Sequence, residues 1–221
     1  MRTTLNRLPP AIVIAILTMP AVMAGQTAER SRTQGLKETD RFVKAGESTS
    51  QSITNGKMQV QKTLDAYNTL VTQPSKDMKG DYKKLLKSSD AMNDKVAEAR
   101  QKIEAMQKTG ETYFSGRAET IKNITDPALQ SQAQQRLTAN QKEFAGVLQS
   151  LRDAGGALEP FRKQLADQIT FLGSDLTPSA MTSLKPQADK LNAQGGQVFS
   201  KTDQALANAD AYFKALRATQ T

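Results

Sequence analysis

The chain has 221 residues, 30 basic and 22 acidic side chains, a formal net charge of +8, and no cysteine, histidine or tryptophan. Without cysteine there is no disulfide framework, no thiolate metal site, no thiol nucleophile and no residue for lipoprotein acylation. Without histidine the commonest metal ligand and the usual acid–base group near neutrality are also missing. The reading is therefore a non-enzymatic protein with no cofactor and no metal.

Residues 1–24 read as a secretory signal peptide. Arg2 and Arg7 make a basic start, the stretch 11–23 is apolar, and small residues surround a cut after about Ala24. That apolar run is broken by Thr18 and Pro20 and falls short of the ~20 residues a membrane span needs. No later stretch is apolar enough to cross a bilayer, so no transmembrane segment is expected after cleavage and the location is exported, periplasmic. Setting Arg2 and Arg7 aside leaves 28 basic against 22 acidic residues, a net of +6. That balance suits envelope protein partners and an anionic lipid or lipopolysaccharide surface; nucleic acid is not expected, because no binding motif is present.

Residues 25–35 read as a flexible lead-in, and 36–218 as one helical-bundle domain. The first helical segment, Leu36 to Thr72, carries Phe42, Gly46, Thr49, Ile53, Val60, Leu64, Tyr67 and Val71 on one stripe. Pro74 and Gly80 interrupt it, and Asp81 is placed to cap the second helix. That second segment is the most regular: from Tyr82 through Leu85, Met92, Val96, Ile103, Met106 and Gly110 to Tyr113 its seam steps by three and four. Arg117 continues the seam, an odd place for a cation unless it reaches to a carboxylate at the edge. Glu98/Lys102 and Glu104/Lys108 have the spacing of helix-surface ion pairs.

Asp126-Pro127 then supplies a cap and a first-turn proline. The third segment runs from Leu129 through Phe144, Val147, Leu151, Leu158, Leu165 and Ile169 to Leu172. Thr177-Pro178 repeats the signal, and the fourth segment runs from Met181 through Leu191, Val198, Ala205 and Tyr212 to Leu216, with Pro186 expected to kink or restart it. Strand signals are nearly absent. Connections this short make successive helices antiparallel, so the expected fold is all-α, an elongated up-down-up-down four-helix bundle with coiled-coil-like packing.

Folding back brings three groups together. Gly155-Gly156 comes level with Gly195-Gly196 and with Gly56, a candidate waist or hinge in which missing side chains let backbones approach. Each such glycine costs ~1 kcal/mol relative to alanine in a helix, so a reason for them is expected. Phe42, Tyr113, Phe144, Tyr212 and Phe213 gather near the end that holds both termini. Lys76, Lys79, Lys83, Lys84 and Lys87 cluster at the first turn, a candidate contact for an anionic surface.

The stretch 158–184, densest in "FRKQLADQITFLGSDL", together with "ADAYFKAL" at 209–216, resembles an uncharacterised bacterial family catalogued as a domain of unknown function, number twenty-nine fifty-nine. The likeness covers about residues 40–216. It implies an exported, helical, coiled-coil-like protein and brings no activity, cofactor or site residue with it. The functional expectation is a periplasmic helical scaffold of the bacterial envelope. The alternative is a holdase-type chaperone cradling unfolded or anionic clients.

Overall fold

A computed structural model describes residues 21–218 of the protein. Most of the expected leader, residues 1–20, lies outside the described residues. Among the described residues four α-helices account for the fold: α1 Ala21–Thr72, α2 Met78–Lys122, α3 Pro127–Ser174 and α4 Pro178–Ala218. At 1.5 Å per residue they are about 60–80 Å long. α1 takes in residues 25–35, the stretch set apart as a lead-in, as helical backbone. Each helix packs against its two neighbours, α1 most extensively on α2, while α2 and α3 meet least. The result is the all-α, up-down-up-down bundle of four helices.

Local chemistry places the turns. Asp126 accepts hydrogen bonds from the Ala128 and Leu129 amides at 2.8 and 3.0 Å, with Pro127 opening α3. Thr177 Oγ1 accepts from the Ala180 amide at 3.2 Å at the head of α4. At the first turn the cap differs from expectation. Asp77, not Asp81, accepts from the Gly80 amide at 2.8 Å, and α2 starts four residues earlier. Asp81 instead lies inside the first turn, bound to Ser75 and Lys84. α4 continues through Pro186 as one helix, and α3 through Pro160.

The α1–α2 pair keeps a fixed register. Thr49 Oγ1 donates across to the Lys102 carbonyl at 3.0 Å, Gly56 faces the Lys95 carbonyl, and Thr63 Oγ1 donates to the Ser88 carbonyl at 3.0 Å. Each advance of one heptad along α1 is thus matched by one heptad back along α2, as coiled-coil packing requires. The two threonines also bond their own preceding turn, so each hydroxyl closes the helix and staples it to its neighbour.

The core is divided. One cluster, toward the α1–α2 and α3–α4 turns, gathers Leu64, Tyr67, Leu85, Met92, Phe161, Leu165 and Leu191 among others. The second, toward the termini, is built on rings. Phe42 is fully buried and touches Tyr113, Phe114, Phe144, Tyr212 and Phe213 at centroid distances of 4.9–6.1 Å. Most of these pairs meet edge to face, the arrangement the ring quadrupole favours. The glycines that such a layer requires are Gly46 and Gly110. A methyl on Gly110 would lie 2.6 Å from Phe144 and 3.0 Å from Phe42, and one on Gly46 would penetrate the Phe213 ring.

Candidate functional site

The first candidate is the lysine tip. α1 ends at Thr72, and Pro74 prevents its continuation. Lys76 lies in the turn, and Lys79, Lys83 and Lys87 occur at intervals of four along α2, which puts them on one stripe. All five candidate lysines are exposed. Only Lys84 is paired, with Asp81 at 2.9 Å. The Ser75 hydroxyl and then Lys84 hold the Asp81 carboxyl below its ordinary range, and Asp81 in turn raises Lys84. Lys76, Lys79, Lys83 and Lys87 make no ion pair among the described residues. Of these, Lys79 alone lies in the first turn of α2, the positive end of its dipole, where a cation is unfavourable.

The second candidate is the waist, and here the arrangement departs from expectation. Gly195 meets Leu64 and Phe161, and Phe161 lies six residues along α3 from Gly155, about 9 Å. The two glycine pairs therefore do not share a level. A methyl on Gly155, Gly156 or Gly196 would touch nothing within 4 Å, so these positions do not mark close backbone approach. Gly56 makes only ordinary contact, 3.8 Å from the Lys95 carbonyl. What the level of Gly56 and Gly155 does mark is the gap between the two core clusters. It falls between Ile53 and Val60 on α1, Ile103 and Val96 on α2, Ala154 and Ala157 on α3, and Ala205 and Val198 on α4. Small or short side chains occupy it on every helix: Gly56, Ala99, Gly155 and Thr202. They leave a cavity of about 80 Å³ with Arg100 on its exposed side.

The remaining polar features have structural explanations. Arg117 stacks over the Tyr113 ring at 5.4 Å, one turn away on its own helix, instead of reaching a carboxylate. Glu98 pairs with Lys95 at 2.7 Å, not with Lys102, and Lys95 holds its carboxyl below the ordinary range. Glu104 and Lys108 form no ion pair among the described residues. Burial raises Tyr67 and Tyr212 far above the usual phenol range, with smaller contributions at Tyr212 from Tyr113 and Glu143. The Tyr212 hydroxyl donates to Asn140 at 2.5 Å and that of Tyr67 to Gln168. Among the described residues no group of three or more potential metal ligands converges, and no helix is long and apolar enough to cross a membrane.

Fold and surface together define a class: an elongated, antiparallel four-helix protein with a divided core and a basic tip. Residues 28–216 match the family described as "Protein of unknown function (DUF2959)", and the chain belongs to that family. No curated protein and no solved structure matches it.

Proposed function

We propose that the protein is a non-enzymatic scaffold of the bacterial envelope, exported to the periplasm, that spaces its partners along a stiff rod and meets an anionic surface through the lysine tip. The observation that carries the proposal is the lysine stripe on the first three turns of α2. It lies at the end of the bundle away from the termini, exposed and largely unpaired. A chain tethered or bound near its termini would present that end outward. A packed core cluster toward each end of the bundle supports a spacer more than a holdase, which would need an open cradle or free arms.

The direct test is in-cell crosslinking with mass spectrometry, combined with fractionation and N-terminal sequencing. The proposal expects a mature start near Gly25, periplasmic recovery and crosslinks to envelope proteins concentrated at the two ends of the bundle. Cytoplasmic recovery, or crosslinks spread evenly along its length, would overturn it. Replacing Lys76, Lys79, Lys83, Lys84 and Lys87 by glutamine should abolish sedimentation with phosphatidylglycerol vesicles. Equal binding by the two proteins, or none by the wild type, removes the surface contact. Suppression of the aggregation of an unfolded outer-membrane protein would favour the holdase instead.

A further inference from the structure

We propose, resting on the lysine tip as an anionic-surface contact, that the tip sits end-on in the headgroup layer of an anionic phospholipid bilayer, anchored by the ring of Phe171. All seven phenylalanines and four tyrosines of the chain lie among the described residues, and only Phe171 is exposed, at 41%. It stands three residues before the end of α3 at Ser174, about 5 Å from that end. The Tyr82 hydroxyl donates to the Ile169 carbonyl at 3.1 Å, and a methyl on Gly173 would lie 2.6 Å from that hydroxyl. Phe171 is therefore level with Tyr82 and within about a turn of Lys79 and Lys83. An isolated exposed apolar side chain, such as Met58, is ordinary on a helix surface. A ring that shares its depth with unpaired lysines is the combination that interfacial segments use.

The ring and the lysines lie on different sides of the bundle, and that fixes the orientation. Lys79, Lys83 and Lys87 run along α2. Phe171, one heptad after Gln164, belongs to the flank of α3 that meets α4, where the Gln164 amide donates to the Gln187 carbonyl at 3.5 Å. A flat surface reaches both only by meeting the rod at its end, where the α1–α2 and α3–α4 turns lie together. Interfacial elements sink about 5–10 Å into the boundary of headgroups and acyl chains, the depth of Phe171, and lysine stems at that level extend back to the phosphates. The five lysines face Asp77, Asp81 and Asp175, of which Asp77 is engaged by the Gly80 amide and Asp81 by Ser75 and Lys84. Each lysine near an anionic leaflet strengthens binding about fivefold, and burial of the remaining Phe171 surface about tenfold. A polyanion without an acyl layer supplies the first gain and not the second, so a bilayer is the partner that uses both. Seated this way, α2 carries the other end of the bundle about 60 Å from the surface.

The chain contains no tryptophan, so Phe171→Trp is a lone fluorescent reporter. On phosphatidylglycerol vesicles its emission should shift to the blue and be quenched by lipids brominated on their acyl chains. Met58→Trp, at a position 50% exposed near mid-bundle, should show neither effect. Phe171→Gln should weaken sedimentation with the vesicles at least fivefold, while its binding to dextran sulfate and its circular-dichroism melt stay at the wild-type values; Phe171→Ser takes its place should that variant not fold. Replacing Lys76, Lys79, Lys83, Lys84 and Lys87 by glutamine should weaken binding to vesicles and dextran sulfate alike. Unshifted emission from the Phe171→Trp protein on vesicles, equal quenching of the two reporters, or undiminished vesicle binding by Phe171→Gln overturns the anchor and leaves the lysine contact standing. Undiminished binding by the lysine variant, or no vesicle binding by the wild type, overturns both. Conversion of a dimer to a monomer by Phe171→Gln in analytical ultracentrifugation would give the ring to a second copy and overturn the anchor as well.

Discussion

Substituting alanine for glycine should have opposite signs at two sets of helical glycines in this bundle. Gly156 and Gly196 are exposed, and an added methyl meets nothing within 4 Å. There the substitution recovers the helix-propensity difference, about 1 kcal/mol each, and raises the melting temperature by about 2–4 °C per kcal/mol for a chain of this size. At Gly110 the same gain is opposed by a methyl 2.6 Å from Phe144 Cε1 and 3.0 Å from Phe42 Cε2. Phe42 is enclosed by five other rings, so it has nowhere to retreat. Overpacking of this kind costs about 1–3 kcal/mol. The net result at Gly110 is a loss of about 0–2 kcal/mol, and Gly46, pressed on the Phe213 ring, should lose more. Urea denaturation monitored by circular dichroism measures each variant. If Gly46→Ala and Gly110→Ala stabilise the protein as Gly156→Ala does, the ring layer is looser than these distances imply and the steric argument is wrong.

The same packing leads to three further outcomes. Tyr67 and Tyr212 keep their protons in the folded chain well beyond the ordinary phenol value, because burial opposes the charged form. The unfolded chain releases them from about pH 10 upward. Stability is therefore full below that pH and falls above it, by at most about 1.4 kcal/mol per pH unit per tyrosine, as urea midpoints between about pH 9 and 11.5 would show. Pro160→Ala restores an amide donor four residues after the Gly156 carbonyl and should raise stability by up to about 3 kcal/mol; an unchanged or lower urea midpoint would mean that the proline's shape is needed. Thr49→Val and Thr63→Val each remove a hydroxyl that crosses from α1 to an α2 carbonyl, and should lower stability by about 0.5–1.5 kcal/mol, measured by the same titration.

Periodicity made the helices legible, because an apolar seam stepping by three and four leaves few other ways to be buried. Asp126-Pro127 and Thr177-Pro178 were legible for a local reason: cap and proline occupy adjacent positions and need no partner elsewhere. Asp77 and Asp81 were not separable in this way. Both can cap, and the choice rests on how the turn after Pro74 brings Ser75 against Asp81. Phe114 joins the ring layer from one residue beyond the seam, since a helix in a bundle buries a face wider than one row. The glycine pairs were misplaced because turn positions alone do not fix register. The level expected from the turns held for Gly56 and Gly155, but on α4 it is Thr202, not Gly195, that completes the gap. Cavities depend on the sizes of side chains facing one another from four helices, and no single helix pattern contains that information.

The divided core distributes stiffness unevenly around the bundle. On the α1–α2 side the break is bridged in register, with the Thr49 staple on one side, the Thr63 staple on the other and Gly56 against the Lys95 carbonyl between them. On α3 the same level carries Gly155 and Gly156, and Pro160 deprives the Gly156 carbonyl of its helical donor. That segment faces the seam with the least extensive packing, crossed by the Arg100–Glu159 contact and by Arg162 reaching Asn93 at 2.9 Å. Exposed links of this kind exchange cheaply, whereas the staples lie partly buried. Bending at the waist should therefore take the α1–α2 pair as its spine and open or close the α2–α3 seam. Lengthwise spacing by the intact pair and opening of the gap between the two core clusters would then be separable properties of one bundle.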